Sequence, residues 1–128
     1  MQFSILVTAG PETAAAVTAL HTTEALLRSP YSLFRVFFYG DGVHLANRLI
    51  HPGRDGEAVA SRWQSLVKDN ALPARVCVGA ALRRGVTDDT EGQRAGLKGN
   101  NLAEGFQLVG LGEWVEAARH SDRVLHFG

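Results

Sequence analysis

The stretch Ala74-Arg75-Val76-Cys77-Val78-Gly79-Ala80-Ala81-Leu82-Arg83-Arg84-Gly85-Val86 decides the fold, and it holds the only cysteine of a 128-residue chain. Arg75-Val76-Cys77-Val78 is short, apolar and β-branched, as an interior strand requires, whereas Ala80-Ala81-Leu82-Arg83-Arg84 are strong helix formers closed by Gly85. The pattern predicts a strand, a small-residue turn and a short helix. Cys77 is thereby expected near the carboxyl end of a strand, the edge of an open α/β sheet where ligands and chemistry collect. A thiol facing the positive end of a following helix has its thiolate form favoured. The competing reading is an inert, small core residue, the common fate of a cysteine between valines. Arg83 and Arg84 are adjacent and cannot point the same way on a helix, so they are either anion stabilisers or a solvated face.

Upstream, residues 33–39, Leu33-Phe34-Arg35-Val36-Phe37-Phe38-Tyr39, are too apolar throughout to leave one face in water, which predicts a central, parallel strand. Gly40-Asp41-Gly42 breaks it, and residues 43–49 read as a short helix leaving the same sheet edge as Cys77. His44 on that helix is a candidate proton carrier, with a rim histidine as the alternative. Residues 3–8 form a first strand, and Ala16, Leu20, Ala25 and Leu26 recur at helical spacing until Ser29-Pro30 stops the helix. The polar loop 51–56 leads into a helix over about 57–70, whose stripe of Val59, Trp63, Leu66 and Val67 marks a core face.

Downstream, Asp88, Asp89 and Glu91 lie in a segment with little apolar content, so a solvated loop or a helix start is expected rather than an acid and base pair. Residues 106–109 form a strand, Gly110-Leu111-Gly112 a close-packing turn, residues 113–120 a helix and residues 122–127 a last strand. Neither Thr8-Ala9-Gly10-Pro11-Glu12-Thr13 nor Gly110-Leu111-Gly112 completes a nucleotide-binding fingerprint. Five strands alternating with helices predict a three-layer α/β/α fold with a five-stranded parallel sheet and right-handed crossovers.

Composition narrows the function classes. A chain of 128 residues that is 45% hydrophobic is expected to form one domain, 1–128, with a core large enough to need no staple. Thirteen basic and thirteen acidic side chains cancel, which leaves no electrostatic footprint for a nucleic-acid backbone or an anionic membrane. One cysteine permits no internal disulfide, and the five histidines show no paired ligand spacing, so neither a metal nor a cofactor is expected. The first residues lack the basic and small-residue pattern of a signal peptide, and no apolar run reaches membrane-spanning length; a cytoplasmic protein is the expectation.

Residues 77–86, followed by Asp88, Thr90-Glu91 and Gly96-Leu97, resemble the cysteine segment of the TusD/DsrE family, whose members carry sulfur as a persulfide on this cysteine. The resemblance continues through Phe37-Phe38-Tyr39, Gly42-Val43, Ala46-Asn47, Asn101-Leu102, Gly105-Phe106, Gly110-Leu111-Gly112, Glu116-Ala117 and Asp122-Arg123-Val124, and so spans essentially the whole chain. It implies a DsrEFH-like fold and a sulfurtransferase whose catalytic residue is Cys77. It also implies a heterohexamer with TusB-like and TusC-like subunits, a TusA-like sulfur donor and a TusE-like acceptor, in the relay toward 2-thiouridine at the tRNA wobble position. DsrE-like relatives use the same cysteine in dissimilatory sulfur oxidation with a DsrC-like acceptor; the overall similarity is closer to the TusD branch. The family carries no fixed histidine at the position of His44, which argues against an essential role there.

Sulfur exchange at Cys77 needs an accessible, partly ionised thiol, with the backbone N–H groups of residues 78–80 as the first candidates to stabilise an anion and Arg83 or Arg84 as the next. A dithiol oxidoreductase would need a resolving cysteine that this chain lacks. Two other classes stay open: a non-catalytic structural subunit with Cys77 buried, and a small-ligand module built on the loops after Thr8 and Val109. The carrier reading expects the thiol to be exposed at the mouth of the sheet edge.

Overall fold

The computed structural model describes residues 1–51 and 58–128. Five strands, β1 (Gln2–Val7), β2 (Ser32–Phe38), β3 (Ala74–Cys77), β4 (Phe106–Val109) and β5 (Arg123–Phe127), form one sheet in the order β4-β3-β2-β1-β5. Every pairing is parallel, as expected. Five α-helices occupy the connections: α1 (Ala14–Leu27), α2 (Val59–Asn70), α3 (Val78–Arg83), α4 (Asp89–Arg94) and α5 (Gly112–His120).

The order dictates the layers. From β1 to β4 the chain steps across the sheet in one direction, so right-handed crossovers put α1 and α2 on one face. The return from β4 to β5 runs the other way and carries α5 to the opposite face. Consecutive residues of β2 confirm this, because neighbouring side chains in a strand point to opposite sides. Phe38 meets Trp63 of α2 edge-on at 5.2 Å, while Phe37 faces Trp114 of α5 at 5.9 Å. Trp63 is fully buried and its indole N–H donates to the carbonyl of Ala16 in α1 at 3.2 Å, which fixes the two helices of that layer to each other.

Local chemistry sets the element ends. Thr13 caps α1 by accepting from the Ala16 N–H, and Asp88 caps α4 by accepting from the Glu91 N–H at 2.8 Å, so the acidic segment is a helix start as the polar composition implied. Residues 43–49 were expected as a short helix after a glycine break. The glycines are instead inside the element, a 3-10 helix over Gly40–Ala46. Gly42 is what lets it form there: a Cβ at this position would overlap the Val7 carbonyl. The segment behind it is clasped to the approach to β4, with Arg48 N–H donating to Asn101 at 2.8 Å and Ala103 N–H to Ala46 at 2.8 Å.

Of the expected loop 51–56 only His51 is described; 52–57 lie outside the described residues, and the helix there is described from Val59. No helix among the described residues is long and apolar enough to cross a membrane.

Candidate functional site

Cys77 is the last residue of β3 and the N-cap of α3, in extended geometry at φ −63° and ψ 118°, with no side-chain cap bond. The expected small-residue turn is absent, because Val78 is already helical. Residues 78–80 are therefore the first turn of α3, whose N–H groups have no carbonyl partner within the helix. Across the sheet Cys77 is in register with Val109 at the end of β4.

The expectation of an exposed thiol is not met: Cys77 is 5% exposed and belongs to the hydrophobic core. The cause is local. β3 is an interior strand between β2 and β4, no loop separates it from α3, and the 3-10 helix packs against both β3 and α3. Two described cavities, of about 270 and 390 Å³, are lined by other residues, the first between α2 and Ala103-Glu104, the second by Leu49, Thr87 and the segment 97–101.

The two arginines diverge. Arg84 donates from Nε to Asp41 at 2.9 Å and from Nη1 to the Ala80 carbonyl at 3.2 Å, pinning α3 to the 3-10 helix. Arg83 reaches back along α3, its Nη1 only 3.5 Å from where a Cβ on Gly79 would stand. His44 is half-buried on the 3-10 helix, and no hydrogen bond or ion pair joins its ring to Cys77. Asp88, Asp89 and Glu91 are occupied in capping α4, binding the Asn100 amide at 2.7 Å and pairing with Arg94 at 3.0 Å. Thr8, at the start of the first glycine loop, is engaged by the chain's own last strand, through His126 Nε2 at 2.9 Å and the Phe127 carbonyl at 3.0 Å. Among the described residues no group of three or more His, Cys, Asp or Glu side chains could hold a metal ion.

Reading the sequence for motifs missed Arg75. It lies two residues before Cys77 on the same strand, and a period of two places both on the same face. That face is the one α5 covers, since Arg75 is in register with Phe37. Its Nε is buried without a hydrogen-bond partner, as is that of Arg35, and its Nη1 donates to the Ala74 carbonyl at 3.3 Å. The signal was available in the alternation of Arg75 and Cys77 along an otherwise apolar strand.

Parallel order, two unequal helix layers and a single thiol at the carboxyl edge of an interior strand define a three-layer α/β/α protein whose one cysteine ends a strand. The chain belongs to the DsrE/DsrF-like family, whose model matches residues 1–127. It is 46% identical to "Sulfurtransferase TusD" of Cronobacter sakazakii, over 99% of this chain and all of that one. It is 42% identical to "Sulfurtransferase TusD homolog" of Pseudomonas aeruginosa, over 100% of this chain and 98% of the other. The fold matches the crystal structure of the ychN protein from E. coli with a TM-score of 0.75 and 24% identity, covering 99% and 100% of the two chains.

Proposed function

We propose that this protein is a sulfurtransferase subunit that takes sulfane sulfur as a persulfide on Cys77 and passes it to an acceptor thiol, in the relay for 2-thiolation of the tRNA wobble uridine. The observation that carries the reading is the placement of the chain's one thiol, at the carboxyl end of an interior strand where it caps a helix. The full-length likeness to proteins named sulfurtransferase supports it.

The chemistry balances with one cysteine. The Cys77 thiolate attacks the terminal sulfur of a donor persulfide; the donor S–S bond breaks, a new S–S bond forms on Cys77, and the donor leaves as a thiolate. An acceptor thiolate then attacks the outer sulfur, takes it as its own persulfide and returns Cys77 to the thiolate. No oxidant, reductant or resolving thiol is consumed. The N–H groups in the first turn of α3, which Cys77 caps, are available to the negative charge that moves along the three sulfurs.

The whole chain, 1–128, acts as one carrier domain in the cytoplasm, beside TusB-like and TusC-like subunits, with a TusA-like donor and a TusE-like acceptor. Leu111, Val115 and Val124, 51%, 56% and 41% exposed, supply apolar surface for such an assembly. The 5% exposure of Cys77 favours a second reading, a structural subunit with an inert cysteine.

One experiment separates the two. The assembled complex is incubated with a persulfide-loaded donor and the intact chain is weighed. A gain of one sulfur atom that disappears in Cys77→Ser is the expected result. Sulfur uptake that survives the substitution, or no uptake by the unsubstituted chain, overturns the carrier reading.

A further inference from the structure

Cys77 has one neighbour across the sheet on each side. On β4 it is in register with Val109, which offers only hydrocarbon. On the other side the paired residues Phe38 and Val76 are followed by Tyr39 and Cys77, so these two stand level on strands about 4.8 Å apart. The backbone of Tyr39 is still extended, at φ −135° and ψ 160°, and its N–H donates to the Val7 carbonyl at 3.0 Å, so the pleat continues through it. The alternation that aims Phe37 at Trp114 and Phe38 at Trp63 therefore turns Tyr39 toward the α5 face, the face of Cys77. Tyr39 is half-buried and packs against the core, and its hydroxyl has no hydrogen-bond partner among the described residues. Thr8, the next residue along that row, is already bonded to His126.

We propose that the Tyr39 hydroxyl is the hydrogen-bond donor that holds the outer sulfur of the Cys77 persulfide. The inference rests on Cys77 being the sulfur carrier and adds the residue that receives its cargo. Height above the sheet selects the atom. A tyrosine hydroxyl stands farther from its backbone than a cysteine sulfur does, and the second sulfur of a persulfide lies about 2 Å beyond the first. In the unloaded chain no hydrogen bond joins the two side chains, and the added sulfur is what extends toward the phenol. A persulfide anion beside a core residue is costly without a donor. A phenol supplies an O–H that stays protonated at neutral pH. Tyr39 therefore gives up no proton and forms no bond to sulfur; the thiolates alone exchange it.

The test reads the ionisation of the carried sulfur. The assembled complex is loaded from the persulfide donor and treated with iodoacetamide over a range of pH, and the chain is weighed intact to follow alkylation of the loaded form. The pH midpoint of that rate reports how well the outer sulfur anion is held, whereas a change in access moves only the plateau. Tyr39→Phe keeps the ring against the core and removes the donor, so the midpoint is expected to rise by about one pH unit, tenfold in the ionisation equilibrium. Tyr31→Phe removes the only other tyrosine hydroxyl, 48% exposed at the amino end of β2, and is expected to leave the midpoint in place. A midpoint unmoved by Tyr39→Phe, or moved as far by Tyr31→Phe, overturns the proposal and leaves the carrier standing. Absence of any loaded mass in the unsubstituted chain overturns both.

Discussion

Gly42 shows how a single residue positions the candidate site. The backbone of the 3-10 helix crosses the end of β1 so closely that a methyl group at Gly42 would run into the Val7 carbonyl and the Thr8 backbone. Backbone on both sides leaves nothing flexible to yield. Gly42→Ala is expected to cost about 1–3 kcal/mol, read as a lowered urea midpoint with an unchanged slope, and to loosen the cover over Cys77. Asn101 does comparable work from the other side, donating to the Gly85 carbonyl at 2.8 Å and accepting the Thr87 N–H at 2.9 Å. At this scale the sequence disclosed that Cys77 ends a strand, from the valines around it and the helix formers that follow. It did not disclose the burial of that thiol. Neighbours along a strand report its pleat, while the element that crosses over it comes from residues more than thirty positions away.

The elements around the site were legible through their periods. The stripe on α2 was readable because Val59, Trp63, Leu66 and Val67 repeat at helical spacing, and the acidic segment before α4 because Asp88 has the chemistry of a cap. Trp63 carries the larger share of that layer, touching Phe38 and bonding to Ala16 at once. Trp63→Ala is expected to destabilise by about 3–5 kcal/mol, measured by chemical denaturation. The glycine-rich 3-10 helix was harder to read. Its three turn-forming residues resemble a break, and only the close approach to β1 shows why small residues are needed within it. The clasp of Arg84 on Asp41 is geometrically good, but Asp41 is mostly exposed, so the pair contributes little to stability and more to the register of α3 against its neighbour.

For the whole molecule, the parallel three-layer arrangement was legible, because apolar strands separated by helices leave a parallel, doubly covered sheet as the solution, whereas the order β4-β3-β2-β1-β5 was not. What alternation could not convey is how unequal the two covers are. One face carries α1 and α2, linked through Trp63, and the other, among the described residues, carries the nine residues of α5. Leu111 and Val115 of that thinner layer stay largely in water, and Val124 on β5 joins them on the same face, through its register with Ser4 and that of Ser4 with Arg35. Leu111→Asp with Val115→Asp is expected to leave the isolated chain folded and to prevent it from co-eluting with the proposed TusB-like and TusC-like subunits in size-exclusion chromatography; co-elution at the unsubstituted volume counts against this face as the interface. The near closure of the core around Cys77 has a further consequence for the proposed relay. A sulfur atom lodged there is shielded from glutathione and the other free thiols of a reducing cell, so its lifetime depends on a docked protein opening the way, and little of it escapes as sulfide between one hand-over and the next.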